Sequence, residues 1–376
     1  MKISQVCLAA ILISAPSLSA AAQETTTVEF AGHSWDVAAK SANLTTWLGR
    51  EALHLTQGRV WLDSAGFGEG VVEFDVAYTD SRGFVGLNWY QDKTRNRYEE
   101  IYLRAHLSGQ PDAVQYTPVE NKNSAWQIFT GSDATAKMDH LFTGWSHVKL
   151  VVKDDKADLY VNSSAPILHI PDLKTDIKSG GLALRANAGQ GEKSAYFSNL
   201  TFRPLQEADV IVGKAEAKPK QTDGLIRTWQ VSSNVTEAAV SGAQLPRSLE
   251  ANLTWGEVKT ETNGIANLSR LASRDRKNNT VLVRTIIRSD IDQIKEMTFG
   301  YSDRIRLFVN GEFVYSGISG WKSRDHRFYG TVGPFDSAGL RLKKGDNIIT
   351  AAVSENFGGW GFMGIIKNQD GIEVAP

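Results

Sequence analysis

The chain has 376 residues, of which 41% are hydrophobic and 22% are charged, and its formal net charge is -1 at pH 7. A single hydrophobic core stops growing at roughly 250 to 300 residues, so we expect two domains. Lys and Arg are interleaved with Asp and Glu along the chain, which argues against the clustered basic surface of a nucleic-acid-binding protein.

Residues 1 to 22 have the pattern of an export signal. Lys2 precedes a short apolar stretch from Val6 to Ile13, and three small residues end at Ala22, where we predict cleavage. The apolar stretch is shorter than the about 20 residues that cross a bilayer, so we predict no membrane insertion. The single cysteine, Cys7, lies within the signal, so we expect no disulfide in the mature chain. These features predict a periplasmic or secreted protein.

Residues 23 to 205 contain short runs rich in β-branched and aromatic residues, separated by Gly, Asn, Asp and Ser. This pattern is typical of antiparallel strands, and the number of runs favours two packed sheets in a jelly-roll sandwich. The predicted strands are Val60 to Leu62, Gly70 to Tyr78, Phe84 to Gln91, Tyr98 to Arg104, Ala113 to Thr117, Trp126 to Phe129, His147 to Lys153, Ala157 to Val161, Leu182 to Ala186 and Ala195 to Phe202.

Three successive predicted strands of this region each have one apolar and one polar face, because neighbouring strand residues point to opposite sides. Tyrosine rings suit the apolar face of a pyranose, and amide, carboxylate and guanidinium groups suit its hydroxyls. The alternative is an ordinary solvated sheet face with stabilising cross-strand pairs. We expect six side chains to emerge together on a solvent-exposed carbohydrate-binding surface, namely Asn88, Tyr90, Glu100, Tyr102, Arg104 and Gln115.

Five segments of this region resemble the concanavalin A-like lectin/glucanase superfamily, especially its laminin G-like members and the bacterial 3-keto-disaccharide hydrolase domain. The resemblance implies a jelly-roll sandwich with a concave sheet for glycans. The segments are structural and imply no particular chemistry. They are Glu69 to Val76, Arg97 to Arg104, Gly109 to Tyr116, Trp145 to Val152 and Gly180 to Arg185.

No catalytic signature accompanies these segments. Glu99 and Glu100 point to opposite faces of a strand, so they cannot be the paired carboxylates of a glycosidase. Glu73 and Asp75 share a face, but the second Glu that laminarinase-type glucanases carry shortly afterwards is absent from the sequence. Neither Gly-x-Ser-x-Gly nor His-Glu-x-x-His occurs, so we assign no catalytic residue, cofactor or metal ligand, and the sequence leaves open whether the protein is an enzyme or binds a structural calcium.

Residues 206 to 223 have no strand pattern, and within them Lys214 to Asp223 is charged, contains Pro219 and has no apolar face, which indicates a linker. Strand patterns resume in residues 224 to 376, and Asn310-Gly311 between two hydrophobic runs predicts a hairpin. The segment from Ile265 to Leu271 is compatible with a short helix or an irregular loop.

Two segments of the second region, Leu307 to Gly317 and Gly345 to Val353, resemble the galactose-binding-like jelly rolls attached to many bacterial glycosidases. Such modules bind through loops at one end of the sandwich. Gly-rich loops in this region could form such a rim or could pack internally against the first domain. The predicted rim has Trp321 and Trp360 as its main members, with Arg324, His326, Tyr329, Asn356 and Phe357 beside them.

Together these patterns predict an exported protein that binds a polysaccharide or an oligosaccharide. One alternative is a glycan-active hydrolase or lyase with its site around Glu100, Tyr102 and Arg104. The other is a protein-interaction or structural module, and the sequence leaves the oligomeric state open.

Overall fold

The computed structural model describes residues 26–79, 82–187, 194–216, 222–325 and 329–375. The predicted export signal lies outside these ranges. Within them, no helix is both long and apolar enough to cross a bilayer. The described residues form mainly antiparallel strands, together with a short helix at Arg247–Ala251 and 3₁₀ turns at Ala105–Leu107, Glu237–Val240 and Leu268–Arg270. The predicted all-β class is confirmed.

The first sandwich comprises the strands between residues 27 and 204. Its strands are β1 (Thr27–Phe30), β2 (His33–Trp47), β3 (Arg50–Phe67), β4 (Gly70–Tyr78), β5 (Phe84–Gln91), β6 (Tyr98–Arg104), β7 (Val114–Glu120), β8 (Asn123–Ser124), β9 (Thr135–Ala136), β10 (Ser146–Lys153), β11 (Lys156–Val161), β12 (Leu168–Ile170), β13 (Gly180–Asn187) and β14 (Ser194–Pro204). The hydrogen-bonded order is β12-β11-β10-β4-β14-β3-β13-β5-β6-β7-β8. β2 pairs with both β1 and β3, and β9 pairs with β7.

Strand β3 belongs to both layers of this sandwich. Its first part pairs with β14 over residues 53–56, and its second part pairs with β13 over residues 58–67. The strand bends at Gln57, which has a φ of 47°. A Cβ on the adjacent Gly58 would lie 2.3 Å from the carbonyl oxygen of Ala38, so glycine is required there. The sequence pattern predicted only the short central part of this strand, Val60 to Leu62.

The core of the first sandwich lies between the two layers. One layer contains β4 and β10, the other contains β5 and β6, and alternate residues of all four strands face inward, as the period-2 pattern predicts. Burying each large apolar side chain stabilises the fold by about 1.5 to 3 kcal/mol. The inward-facing residues of these strands include Val72, Phe74, Val76, Leu87, Trp89, Ile101, Leu103, Val148, Leu150 and Val152.

The second sandwich comprises the strands between residues 228 and 375. They are β15 (Thr228–Ser232), β16 (Trp255–Lys259), β17 (Ala266–Asn267), β18 (Thr280–Ser289), β19 (Gln293–Tyr301), β20 (Arg304–Val309), β21 (Glu312–Ile318), β22 (Asp336–Leu342), β23 (Gly345–Ser354), β24 (Gly361–Ile365) and β25 (Ile372–Ala375). One sheet has the order β16-β15-β18-β23-β20-β21, with β25 beside β18, and the other has the order β17-β24-β19-β22. The core between them includes Trp229, Phe299 and Phe362.

The hairpin predicted from the turn-forming residues of the second region is present. Asn310 and Gly311 join β20 to β21 with φ values of 53° and 83°, and this confirms the predicted hairpin. The undecided segment from Ile265 to Leu271 forms the short β17 followed by a 3₁₀ turn.

The prediction of a strand from Trp126 to Phe129 is wrong. The amide groups of Ile128 and Phe129 both donate to the carbonyl oxygen of Ala125, so the backbone folds back into a turn. This turn points Gln127 toward the second sandwich, where its Nε2 donates to the carbonyl oxygen of Tyr329 at 2.7 Å.

Gln127 is the centre of the contact between the two sandwiches. Its Oε1 accepts hydrogen bonds from the amide of Gly359 at 3.0 Å and from the hydroxyl of Ser302 at 3.2 Å. Nearby, the side-chain amide of Asn263 donates to the carbonyl oxygen of Ile128 at 2.8 Å. The cores are also continuous here, because Ile265, Val332, Met363 and Ile365 join the apolar cluster of the first sandwich. We call this contact region the junction.

Residues 205 to 216 have no regular helix or strand. They nevertheless follow the surface of the first sandwich, where the amides of Val212 and Gly213 donate to Asp158 Oδ2 at 2.7 and 2.9 Å. The predicted domain boundaries at residues 205 and 223 stay predictions.

Candidate functional site

The candidate site lies on the side of strands β3, β13, β5, β6 and β7 that faces away from the first core. We call it the polar face. The register places Trp61, Ala183, Asn88, Glu100 and Thr117 in one row across the five strands, and places Arg59, Arg185, Gly86, Tyr102 and Gln115 in the next row.

Five of the six predicted surface residues share this face, because strand alternation held through β5, β6 and β7. They are Asn88, Glu100, Tyr102, Arg104 and Gln115. Tyr90 does not share it. Its φ is 55°, which turns the side chain into the first core, where its ring lies 6.2 Å from that of Phe67. The pairing of β5 with β13 also shifts register beside it, between Gly181 and Ala183, so the alternation breaks at this irregularity.

The prediction that the six side chains are solvent-exposed is wrong. All six are buried, with exposed fractions between 0% and 6%. The reason is that longer side chains from the neighbouring strands lie across them. The two most important are Arg59 of β3 and Arg185 of β13, whose side chains are 20% and 13% exposed. Arg59 and Arg185 are therefore the side chains that solvent contacts on this face, and the predicted residues Asn88, Glu100 and Tyr102 lie beneath them.

Glu100 is the centre of the polar face, and all its bonds converge on one oxygen. Its Oε1 lies 2.9 Å from Arg59 Nη2 and 2.6 Å from Arg185 Nη1, and Asn88 Nδ2 donates to the same oxygen at 3.2 Å. Four polar atoms here have no hydrogen-bond partner among the described residues. They are Glu100 Oε2, Asn88 Oδ1, Arg59 Nε and Arg185 Nε.

A glycine makes room for this arrangement. Gly86 lies between Arg185 and Tyr102 in the row across the sheet, so no side chain stands in the path of the guanidinium. Arg185 therefore reaches over β5, and its guanidinium carbon lies 4.7 Å from the centre of the Tyr102 ring. A Cβ on Gly86 would lie 2.0 Å from the carbonyl oxygen of Ile101, so the close approach of β5 to β6 also requires glycine.

The two adjacent carboxylates of β6 have opposite environments. Burial raises the pKa of Glu99, which faces the core and accepts hydrogen bonds from Tyr116 and Thr175. Burial also opposes ionisation of Glu100, but the charges of Arg185 and Arg59 outweigh it and lower the pKa. Glu100 is thus ionised at neutral pH and is unsuited to be the general acid of a hydrolase.

Arg104 and Gln115 serve the structure of this face. Arg104 donates to the carbonyl oxygen of Asp112 at 2.8 Å and to Gln115 Oε1 at 3.0 Å. Gln115 in turn donates to the carbonyl oxygen of Phe129 at 2.9 Å. These bonds hold the turn that carries Trp126 against the sheet.

A row of aromatic rings continues the polar face onto the junction. The Arg104 guanidinium carbon lies 5.7 Å from the centre of the Trp126 ring. The Phe357 ring lies 6.1 Å from both Trp126 and Trp321, and Arg82 lies 5.4 Å from the Trp321 ring. Phe357 is 55% exposed, and both tryptophans are half-buried. We call Trp126, Phe357 and Trp321 the aromatic row.

The predicted rim of the second region is only partly supported. Trp360 is wrong as a binding residue, because it is fully buried in the second core and its Nε1 donates to the carbonyl oxygen of Val353. Arg324 is paired with Asp336, and His326 lies outside the described residues. Trp321 and Phe357 reach the surface, and there they meet Trp126 of the first sandwich.

Sequence reasoning missed the most prominent members of this site. Arg59, Trp61 and Arg185 lie at alternate positions of β3 and β13, so the rule applied to β5 and β6 would have placed them on one face. Trp126 was missed because its segment was assigned to a strand.

No group of three or more His, Cys, Asp or Glu side chains that could hold a metal ion occurs among the described residues. The arrangement can therefore be described by its own chemistry. It offers charged donors on two guanidinium groups, a buried ionised carboxylate, an amide and, at its end, exposed aromatic faces.

No family model and no curated protein matches the sequence. Solved structures do match. A carbohydrate-binding module from Bacillus subtilis is 17% identical with a TM-score of 0.34, over 43% of this chain and 91% of that chain. A galectin-like protein of unknown function from the same organism is 11% identical with a TM-score of 0.31, over 43% and 86%. The β-glucanase of Bacillus licheniformis is 13% identical with a TM-score of 0.31, over 44% and 83%. At these TM-scores, the assignment of function depends on the residues described above.

Proposed function

We propose that this protein is an exported carbohydrate-binding protein, and that the saccharide lies across the polar face and the aromatic row. The observation that carries the proposal is the cluster of unused polar atoms on Glu100, Asn88, Arg59 and Arg185. Buried polar atoms in folded proteins nearly always have a partner, so these four neighbouring atoms form a place where water or the hydroxyl groups of a ligand complete the hydrogen bonding.

The mixture of donors and acceptors favours a sugar. A hydroxyl group both donates and accepts hydrogen bonds. Arg59 and Arg185 offer nitrogen donors, while Glu100 Oε2 and Asn88 Oδ1 are acceptors. A ligand that moves either guanidinium aside opens these oxygens to its own hydroxyl groups.

The aromatic row supplies the second requirement for sugar binding. The apolar C–H face of a pyranose packs against a flat aromatic ring, and such a ring must be exposed. Phe357 is 55% exposed, and the half-buried Trp126 and Trp321 lie on either side of it with part of their surface open. Arg104 lies beside Tyr102 and Trp126 and connects the aromatic row to the polar face.

Affinity electrophoresis against a panel of neutral and acidic polysaccharides tests the proposal. We expect retardation on at least one polysaccharide and a dissociation constant at least about fivefold higher for Trp126→Ala, since aromatic anchors of a binding site contribute more than about 1 kcal/mol.

Trp255→Ala is the matched control for this experiment. Trp255 is also half-buried beneath an arginine, with the Arg284 guanidinium carbon 3.7 Å from its ring, but it lies on β16. Absence of retardation on every polysaccharide, or equal losses in the two variants, would contradict the proposal and favour a protein-interaction module.

A further inference from the structure

We infer that the saccharide bound at the polar face carries an anionic group, either a carboxylate or a sulfate ester. The guanidinium groups of Arg59 and Arg185 both bind this group. The inference rests on the proposed function and specifies its ligand.

The first argument is the balance of charge. Arg59 and Arg185 share one carboxylate, Glu100, and both contact the same oxygen of it. Arg104 is paired with Asp112, while Arg95 is paired with both Asp36 and Asp63, so the Arg95 group carries an excess of one negative charge. The excess of one positive charge is therefore local to Arg59, Arg185 and Glu100, where partial burial weakens solvent screening.

The second argument is that the rings of the polar face are already covered by cations. The Trp61 ring has the guanidinium carbons of Arg59 and Arg95 at 5.6 and 5.5 Å from its centre. The Tyr102 ring has Arg185 and Arg104 at 4.7 and 5.3 Å. Both rings are also buried, with Trp61 7% and Tyr102 3% exposed, so a sugar ring cannot stack on them and the ligand meets guanidinium here.

The third argument is geometric. Both guanidinium groups touch Glu100 Oε1, so they lie side by side, and each contacts that oxygen through a single terminal nitrogen. The Nε atoms of both remain without a partner among the described residues. Adjacent planar guanidinium groups match the two or three oxygens of a carboxylate or sulfate. Their Nε atoms are buried, so an anion reaches these donors only when it draws the guanidinium groups away from Glu100. An anion bound there also reduces the repulsion between the two cations.

Two substitutions that change the charge of the face in opposite directions test the inference. Arg185→Gln removes the surplus charge, and we expect its dissociation constant for an acidic polysaccharide to rise about tenfold or more. Glu100→Gln keeps the shape of the side chain and doubles the surplus, so we expect tighter binding of the same ligand. Raising the salt concentration should weaken binding of the wild type and of Glu100→Gln.

The ligands are matched pairs that differ in charge. Polygalacturonate is compared with its methyl ester, which tests a carboxylate, and a sulfated galactan is compared with its desulfated form, which tests a sulfate. Arg288→Gln, which removes an exposed cation of β18 paired with Asp346, is the charge-matched control and should leave all affinities unchanged. Circular dichroism and thermal unfolding confirm that each variant is folded.

The outcomes separate the inference from the proposed function. Preference for the charged member of a pair, with opposite effects of Arg185→Gln and Glu100→Gln, supports the inference. Equal binding of charged and neutral members, or weaker binding by Glu100→Gln, overturns it and leaves the proposed function standing. Absence of binding to any polysaccharide overturns both.

Discussion

Glu100 of the polar face and Glu355, which lies near Ser302 and Asp303 in the second sandwich, are both fully buried, yet they differ in charge state. Arg185 and Arg59 outweigh the cost of burial and lower the pKa of Glu100. Glu355 is beside Asp303, and burial together with that second carboxylate raises its pKa to about 8, although Arg274 opposes the shift. Burial alone thus does not decide whether a carboxylate is ionised. Burial raises the pKa of both carboxylates, and at Glu100 the two opposite charges beside it reverse the direction.

The largest expected effect concerns the pH dependence that Glu355 imposes. Its pKa rises from 4.5 to about 8 on folding, so between these values the folded state keeps a proton that the unfolded state has released. The stability of the fold should therefore fall as the pH rises, by up to about 4 kcal/mol between pH 5 and pH 8. Urea unfolding of the wild type and Glu355→Gln across this range measures the effect.

The difference between the two unfolding curves isolates Glu355 from other titrating groups. The variant should gain stability relative to the wild type as the pH increases. If the free energies of unfolding of the two proteins change with pH in parallel, Glu355 keeps an ordinary pKa. The two buried carboxylates would then not differ in charge state at neutral pH. Glu100 should not make the free energy of unfolding depend on pH between pH 5 and pH 8. Its pKa is lowered, so the fold loses the stabilisation from its carboxylate only at lower pH.

The next effect is the loss of the Glu100 carboxylate. Glu100→Ala leaves Arg59 and Arg185 facing each other without a counter-ion, and we expect it to lower the free energy of unfolding at pH 7 by about 3 kcal/mol. Glu73→Ala is the control, because the Glu73 side chain is one-third exposed and its ion pair with Lys149 is long, with 3.7 Å between Lys149 Nζ and Glu73 Oε1. A loss for Glu100→Ala no larger than that for Glu73→Ala would mean that solvent screens the polar face.

Gln127 links the junction to the environment of Glu355. Gln127→Ala removes the acceptor of Gly359 and Ser302 and the donor to Tyr329, and we expect a cost of about 2 kcal/mol in urea unfolding. Because water then reaches the junction, the pH slope assigned to Glu355 should also decrease. The exposed Gln110 provides the control variant Gln110→Ala, and an unchanged slope in Gln127→Ala would contradict the coupling.

The smallest effect defines the baseline for an exposed carboxylate. Arg288 and Asp346 are 2.8 Å apart, with side chains 65% and 55% exposed. Arg288→Gln should change the free energy of unfolding by less than about 0.5 kcal/mol, because solvent screens the pair and holding it costs side-chain entropy. If Arg288→Gln costs as much stability as Glu100→Ala, then burial does not increase the contribution of an ion-paired carboxylate to stability, and the comparison fails.

Sequence patterns predicted much of the fold because their determinants are local. Period-2 alternation identified β4, β5, β6 and β10, and Asn310-Gly311 identified its hairpin through the positive φ angles that those two residues tolerate. The same alternation placed Asn88, Glu100 and Tyr102 on one face. It failed at Tyr90, where an irregularity in the pairing of β5 with β13 turns the side chain inward.

The sequence by itself determined the strand character of the chain, the turn chemistry and the parity of side chains within each strand, since these depend on neighbours along the backbone. Only the tertiary structure decided which strands lie side by side. The pairing and packing of the strands placed Arg59 and Arg185 over Glu100 and brought Trp126 beside Phe357. Residues more than 40 positions apart meet there through strand pairing and packing, and no local pattern records which partners will meet.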